Sequence, residues 1–192
     1  MKTNYLLILV LILGFSACKN SEKEIDHLAL TTRYFEILDT SKTSEIEDLL
    51  SDSLVTREND YDYTYTFSKA AYVEWLRWDS VFDPNYKILN IAQDSNVVKV
   101  CVSKIDTRIN FLHNAPIVTD QEFHFKEDKI SAIVTTKYVV FNDSIFVKNR
   151  ETFLNWMDQN HPDLNDFIFD QTKAGGLKYL NAIKLFKNNT ID

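Results

Sequence analysis

The chain has 192 residues and carries 21 basic against 28 acidic side chains, a formal net charge of −7. That length suits one domain able to bury most of its apolar surface without disulfides. An acidic chain with no basic block is excluded as a nucleic-acid binder, because such binding rests on neutralising phosphates.

The first feature along the chain is an export signal. Lys2 precedes the apolar run Tyr5–Leu13, followed by Phe15-Ser16-Ala17-Cys18. The run is about half the ~20 residues a helix needs to cross a bilayer, so it reads as a cleaved leader rather than an anchor. Its ending resembles the bacterial lipoprotein signal, in which a small residue precedes a cysteine that is acylated and becomes the new N-terminus. Residues 1–17 are thus expected to be a signal peptide and Cys18 the lipidation site, with palmitate or a similar acyl chain holding the protein to the membrane. Residues 18–23 form a short polar tether. Lys19 stands where an Asp often retains lipoproteins at an inner membrane, so the expected location is the cell envelope at the outer membrane. With Cys18 consumed by lipid, Cys101 has no partner for an intramolecular disulfide.

Glu24–Asp39 has apolar residues at helical spacing (Leu28, Thr32, Phe35, Leu38). A second, short helix is expected from Ser44, which with Glu47 makes a capping-box pattern. Leu54–Phe67 alternates Tyr61, Tyr63, Tyr65 and Phe67 with polar residues, and reads as a half-exposed strand or an extended aromatic loop. Ser68 is a suitable N-cap for a third helix over Lys69–Phe82.

Four strands are expected next, as an antiparallel meander: Tyr86–Gln93, Val97–Phe111, Ile117–Lys126 and Lys129–Phe141. In the second, apolar residues occupy even positions (Val98, Val100, Val102) and then odd ones (Ile105, Ile109, Phe111). That parity switch predicts a bulge near Ser103–Lys104, with Asp106, Arg108 and Asn110 on one polar face. Only Gly14, Gly175 and Gly176 are present. Strands without glycine are expected to join through longer Asn/Asp/Pro loops. Val147–Gln159, Leu164–Asp170 and Leu177–Lys187 read as three short helices, separated by Pro162 and by Gly175-Gly176.

Three helices followed by a curved antiparallel meander resemble the nuclear transport factor 2-like fold, also called SnoaL-like. Arg33-Tyr34-Phe35-Glu36-Ile37-Leu38-Asp39-Thr40, Tyr72-Val73-Glu74-Trp75-Leu76 and Phe123-His124-Phe125-Lys126-Glu127-Asp128-Lys129-Ile130 carry the resemblance. It implies an α+β domain over residues 24–143: a curved antiparallel sheet forming a cone, with the N-terminal helices on its concave face. Residues 144–192 exceed that fold and are expected to pack as helices on the same domain, beside the mouth. The resemblance covers both enzymes and proteins without catalysis, so it implies architecture and not activity.

The chemistry-bearing residues are sparse. His27, His113, His124 and His161 lack metal-ligand spacing, and no Cys/His cluster or phosphate loop is present, so no metal or cofactor is expected. His124 is expected on the polar outer face of its strand, and Cys101 buried as a small hydrophobe. Asp106 is the weak catalytic candidate, as a general base if its face lines the cone; an exposed ion pair with Arg108 is the competing expectation. Tyr63, Tyr65, Trp75, Trp78, Arg108 and Tyr138 are the ligand-pocket candidates. The favoured expectation is a non-catalytic envelope lipoprotein whose cone binds a small apolar ligand or an envelope protein. An acid–base enzyme of isomerase, dehydratase or hydrolase type is the alternative, and a structural protein docking through its outer sheet face is a third.

Overall fold

A computed structural model describes residues 26–189; Cys18 and the expected signal lie outside them. Helix α1 spans His27–Asp39, started by Asp26, whose side chain accepts the Ala29 N–H at 3.0 Å. Its buried face is Thr31, Tyr34, Phe35, Ile37 and Leu38. Thr31 tolerates burial because its hydroxyl donates to the His27 carbonyl. The helix expected from Ser44 is instead two 3₁₀ turns, Thr43–Glu45 and Glu47–Leu49, and neither has a side-chain cap. They serve to sink Ile46 and Leu50 completely into the core.

Strand β1 (Leu50–Glu58) and strand β2 (Tyr63–Ser68) form a hairpin turned at Asp62, which adopts a left-handed conformation. Ser68 then caps helix α2 (Lys69–Ser80) by accepting the Ala71 N–H. Strands β3 (Asn85–Asp94), β4 (Val97–Ile105), β5 (Ile117–Lys126) and β6 (Lys129–Val140) make the expected antiparallel meander. The sheet order is β2-β1-β6-β5-β4-β3. The hairpin joins the meander through a parallel pairing of β1 with β6, which the strand pattern alone did not reveal. The curved sheet stays open, with β2 and β3 as its edges.

The turns correct one expectation. Lys126 pairs with Lys129, so Glu127-Asp128 is a two-residue turn, and both residues have positive φ. Ser95, in the equally short β3–β4 turn, also has positive φ. Tight turns are therefore made without glycine, at a cost of roughly 1–2 kcal/mol per left-handed residue.

The expected long strand also differs. It stops at Ile105, and Thr107–His113 is a helix, α3, capped by Asp106, which accepts the Ile109 N–H at 2.5 Å. The parity switch thus marks a change of period from 2 to 3.6, not a bulge: Ile109, Leu112 and His113 form the buried face. Asp106, Arg108 and Asn110 do not share a strand face. The Thr107 N–H donates to the Phe82 carbonyl, tying α3 to the end of α2.

Helix α4 (Asp143–Asn160), a 3₁₀ segment (Pro162–Ile168) and helix α5 (Lys173–Asn189) complete the described chain. Gly175 and Gly176 lie inside α5 rather than before it. The Lys173 N–H, in the first turn of α5, donates to the Glu74 carboxylate of α2.

Two apolar clusters result. One lies between α1, α2 and the sheet, around Phe35, Leu76, Val100 and Phe123. The second gathers Trp78, Phe82, Phe153, Met157, Phe167, Tyr179 and Ile183. Trp75 packs against both. The C-terminal helices thus meet the end of α2 and α3. No described helix is long and apolar enough to cross a membrane.

Candidate functional site

A cavity of about 420 Å³ lies between the helices and the sheet. Helix α1 contributes Tyr34, Phe35 and Leu38; α2 contributes Tyr72, Trp75 and Trp78. The hairpin adds Thr56, Glu58, Tyr63 and Phe67, and the meander adds Tyr86, Lys104, Thr119, Gln121, Thr135 and Tyr138. Arg108 of α3 and Gln171, just before α5, close one side.

One wall is an aromatic ladder. Phe67 meets Tyr72 edge-on, Tyr72 stacks on Trp75, Trp75 stacks on Trp78, and Trp78 meets Phe82, with centroids 5.1–6.4 Å apart. The spacing Tyr72, Trp75, Trp78 places all three on one face of α2. Such a wall offers flat apolar surface, suited to an aromatic or alicyclic ligand.

The polar groups are mostly engaged with one another. The Tyr34 and Tyr72 hydroxyls are hydrogen-bonded to each other. That pair holds two protons and shares one. Asp79, 2% exposed, accepts from the Tyr86 hydroxyl at 3.0 Å and from Lys104 Nζ at 2.5 Å. Lys104 also lies 3.5 Å from Asp106. Burial, reinforced by neighbouring phenols and by Asp79, pushes the Tyr34 and Tyr86 phenols well above their ordinary value of 10.0. Tyr72 is raised chiefly by burial, and Tyr138 by burial and the charge of Glu58. These phenols are neutral donors at physiological pH.

Of the residues singled out from the sequence, Tyr63, Trp75, Trp78, Arg108 and Tyr138 line the cavity. Tyr65 does not: it is 48% exposed and meets the Phe67 ring edge-on. Asp106 is neither in the cavity wall nor on the surface; it is 4% exposed and serves as the α3 cap. Both expectations for it, a general base in the cone and an exposed ion pair with Arg108, are therefore corrected. Glu58 was not anticipated. It is the only carboxylate among the described residues lining the cavity, and it accepts the Tyr138 hydroxyl at 2.8 Å. Its one signal was its place in the aromatic hairpin.

Three other residues have structural roles. His113 accepts the Asn142 N–H through Nε2 and hydrogen-bonds the Ala115 carbonyl through Nδ1, each at 2.8 Å, which fastens α3 to the start of α4. His124 sits half-exposed, 3.8 Å from Glu122. Cys101 is half-buried, and burial followed by the neighbouring Asp120 raises its thiol, so it is a poor nucleophile.

Among solved structures, the chain is similar to a candidate ketosteroid isomerase from Kribbella flavida, at 15% identity with a TM-score of 0.50, covering 60% of this chain and 79% of that one. The fold is the nuclear transport factor 2-like cone. A second Kribbella flavida protein matches at 8% identity and a TM-score of 0.50, over 65% of this chain and 93% of that one. A nuclear transport factor 2-like protein of unknown function from Cytophaga hutchinsonii matches at 11% identity and 0.47, over 59% and 90%. No family model matches the sequence, and no curated protein matches it. At these identities the likeness shows the cone and leaves its chemistry to the residues that line it. In this cone, no group of three or more His, Cys, Asp or Glu among the described residues is placed to hold a metal ion.

Proposed function

We propose that this chain is an envelope lipoprotein, tethered through acylated Cys18, whose cone binds a small, flat, largely apolar molecule without turning it over. The observation that carries the binding reading is the aromatic wall of a 420 Å³ cavity whose wall carboxylate already has a partner: Tyr138 donates to Glu58, and Asp79 just behind the wall is held by Lys104 and Tyr86. A catalytic cone needs a base within reach of the substrate proton. Glu58 supports the second reading, an acid–base enzyme, since it alone among the described lining residues is a carboxylate. The tether rests on Ser16-Ala17-Cys18 after a short apolar run, and an outer-membrane location on Lys19.

Binding is tested by titrating the full chain in lipid nanodiscs with 2-naphthamide and following heat release, against empty nanodiscs. Saturable one-site binding, weakened at least tenfold by Trp75→Ala, is expected. Binding that is unsaturable, or indifferent to Trp75→Ala, would remove the cavity from the account. For the tether, metabolic labelling with a fatty-acid analogue should mark the wild type and not Cys18→Ala. Equal labelling of both would end the lipoprotein reading.

A further inference from the structure

Among the described residues, two donors beside the cavity have nothing to donate to: Arg108 Nε and Trp78 Nε1 are both buried without a hydrogen-bond partner there. Buried N–H groups are almost always paired, and a guanidinium even more so. The two belong together: the Arg108 guanidinium carbon lies 5.2 Å from the centre of the Trp78 ring, and both residues line the cavity. The guanidinium also lies 5.7 Å from the centre of the Phe82 ring and close to the Tyr179 phenol. Among the described residues Arg108 makes no ion pair. Asp106 uses Oδ1 to cap α3, and its buried Oδ2 makes no hydrogen bond among the described residues but lies 3.5 Å from Lys104 Nζ; Asp79 is held by Lys104 and Tyr86.

We infer that the ligand of the cone is an organic acid whose carboxylate is received by Arg108 and the Trp78 indole N–H, with its apolar body on the Trp75–Tyr72 wall. The inference rests on the cavity being a binding site, as proposed above. A carboxylate suits the place because it presents two acceptor oxygens, one for each orphaned donor. Arginine meets it with a planar, permanently charged fork. The ring faces of Trp78 and Phe82 already favour a cation there, which keeps Arg108 in position without an ion pair. Lys104 serves the two carboxylates Asp79 and Asp106, neither of which lines the cavity, and so leaves Arg108 to the ligand.

The test compares 2-naphthoate with its neutral isostere 2-naphthamide, titrated into the full chain in nanodiscs. Wild type should bind the acid at least tenfold more tightly than the amide. Arg108→Met should bring the two within twofold of each other by weakening the acid alone, and Arg108→Lys should keep part of the preference. Trp78→Phe retains the ring and removes the N–H. It should weaken the acid about threefold and leave the amide unchanged, so the inference stays testable if Arg108→Met fails to fold. Equal binding of acid and amide to wild type, a preference that survives Arg108→Met, or an equal loss of both ligands in Trp78→Phe would each overturn the anion site while leaving the cavity a binding site. If neither compound binds at all, the binding reading fails and this inference falls with it.

Discussion

Gly176 lies against Trp78: a Cβ placed on it would come within 3.0 Å of the Trp78 carbonyl oxygen and 3.2 Å of Cδ1 of the indole. A side chain at this position would crowd the cavity wall, so α5 or Trp78 would have to give by a few tenths of an ångström. The backbone of one helix and the aromatic wall of the site are in direct contact.

Substitution at Gly176 should show that contact. Gly176→Ala gains about 1 kcal/mol of helix propensity but must push α5 away from Trp78. Gly176→Val adds bulk with no such gain and should destabilise by about 2 kcal/mol or more. Urea denaturation measures both, and Trp fluorescence should shift in the valine variant. A valine variant as stable as wild type, with unchanged fluorescence, would show that α5 does not press on the wall.

Asp106 should matter for folding. Asp106→Ala removes the α3 cap and one carboxylate from Lys104, at a cost of about 2 kcal/mol. Asp106→Asn keeps a cap acceptor and should cost less. Equal, negligible losses in urea denaturation would mean that the carboxylate is solvated after all.

The buried hydroxyl pair of Tyr34 and Tyr72 should couple. Either Phe substitution leaves one hydroxyl without its partner and should cost about 1–2 kcal/mol, whereas the double substitution should cost less than the sum. Additive losses in the double-mutant cycle would show that the two hydroxyls do not depend on each other.

Alkaline pH should unfold the protein through its tyrosines. Tyr34 and Tyr86 are raised above their ordinary value of 10.0 by burial, so the folded state keeps protons that the unfolded chain releases. Their contribution is complete below about pH 10, the unfolded value, and is lost as pH rises through the folded one. Stability should be flat from pH 7 to 9 with respect to these groups and fall above about pH 10. Phenolate absorbance should then rise together with loss of circular dichroism. Buried phenols that ionise while the fold persists would contradict this.

Truncation after Asp143 should expose Trp78 and Phe82, because Phe153, Phe167, Tyr179 and Ile183 cover them. Each large side chain left in water forfeits about 1.5–3 kcal/mol. Lower melting temperature and stronger dye binding are expected. A truncated chain that melts like the full one would make the C-terminal helices an independent appendage.

Features governed by neighbours in the chain were readable from residue order. Helix α1, the Ser68 cap, the meander and the helical pattern of the C-terminal segment all declare themselves through hydrophobic period and capping chemistry, which act over a few residues. The aromatic spacing of α2 was legible in the same way, and five of the six anticipated pocket residues line the cavity. The errors arose where local signals compete. Over Thr107–His113 a seven-residue helix carries too few turns to outweigh β-branched neighbours, and the Asp106 cap decided it. Non-glycine turns at Ser95 and Glu127-Asp128 are set by the strands they join. What remained hidden depends on residues far apart in sequence. The parallel β1–β6 pairing, the Lys104–Asp79–Tyr86 network and Glu58 beneath Tyr138 exist only after the sheet curls. The same holds for the Arg108 and Trp78 donors: α3 and α2 meet by packing, and whether a buried N–H has an acceptor depends on what that packing brings beside it.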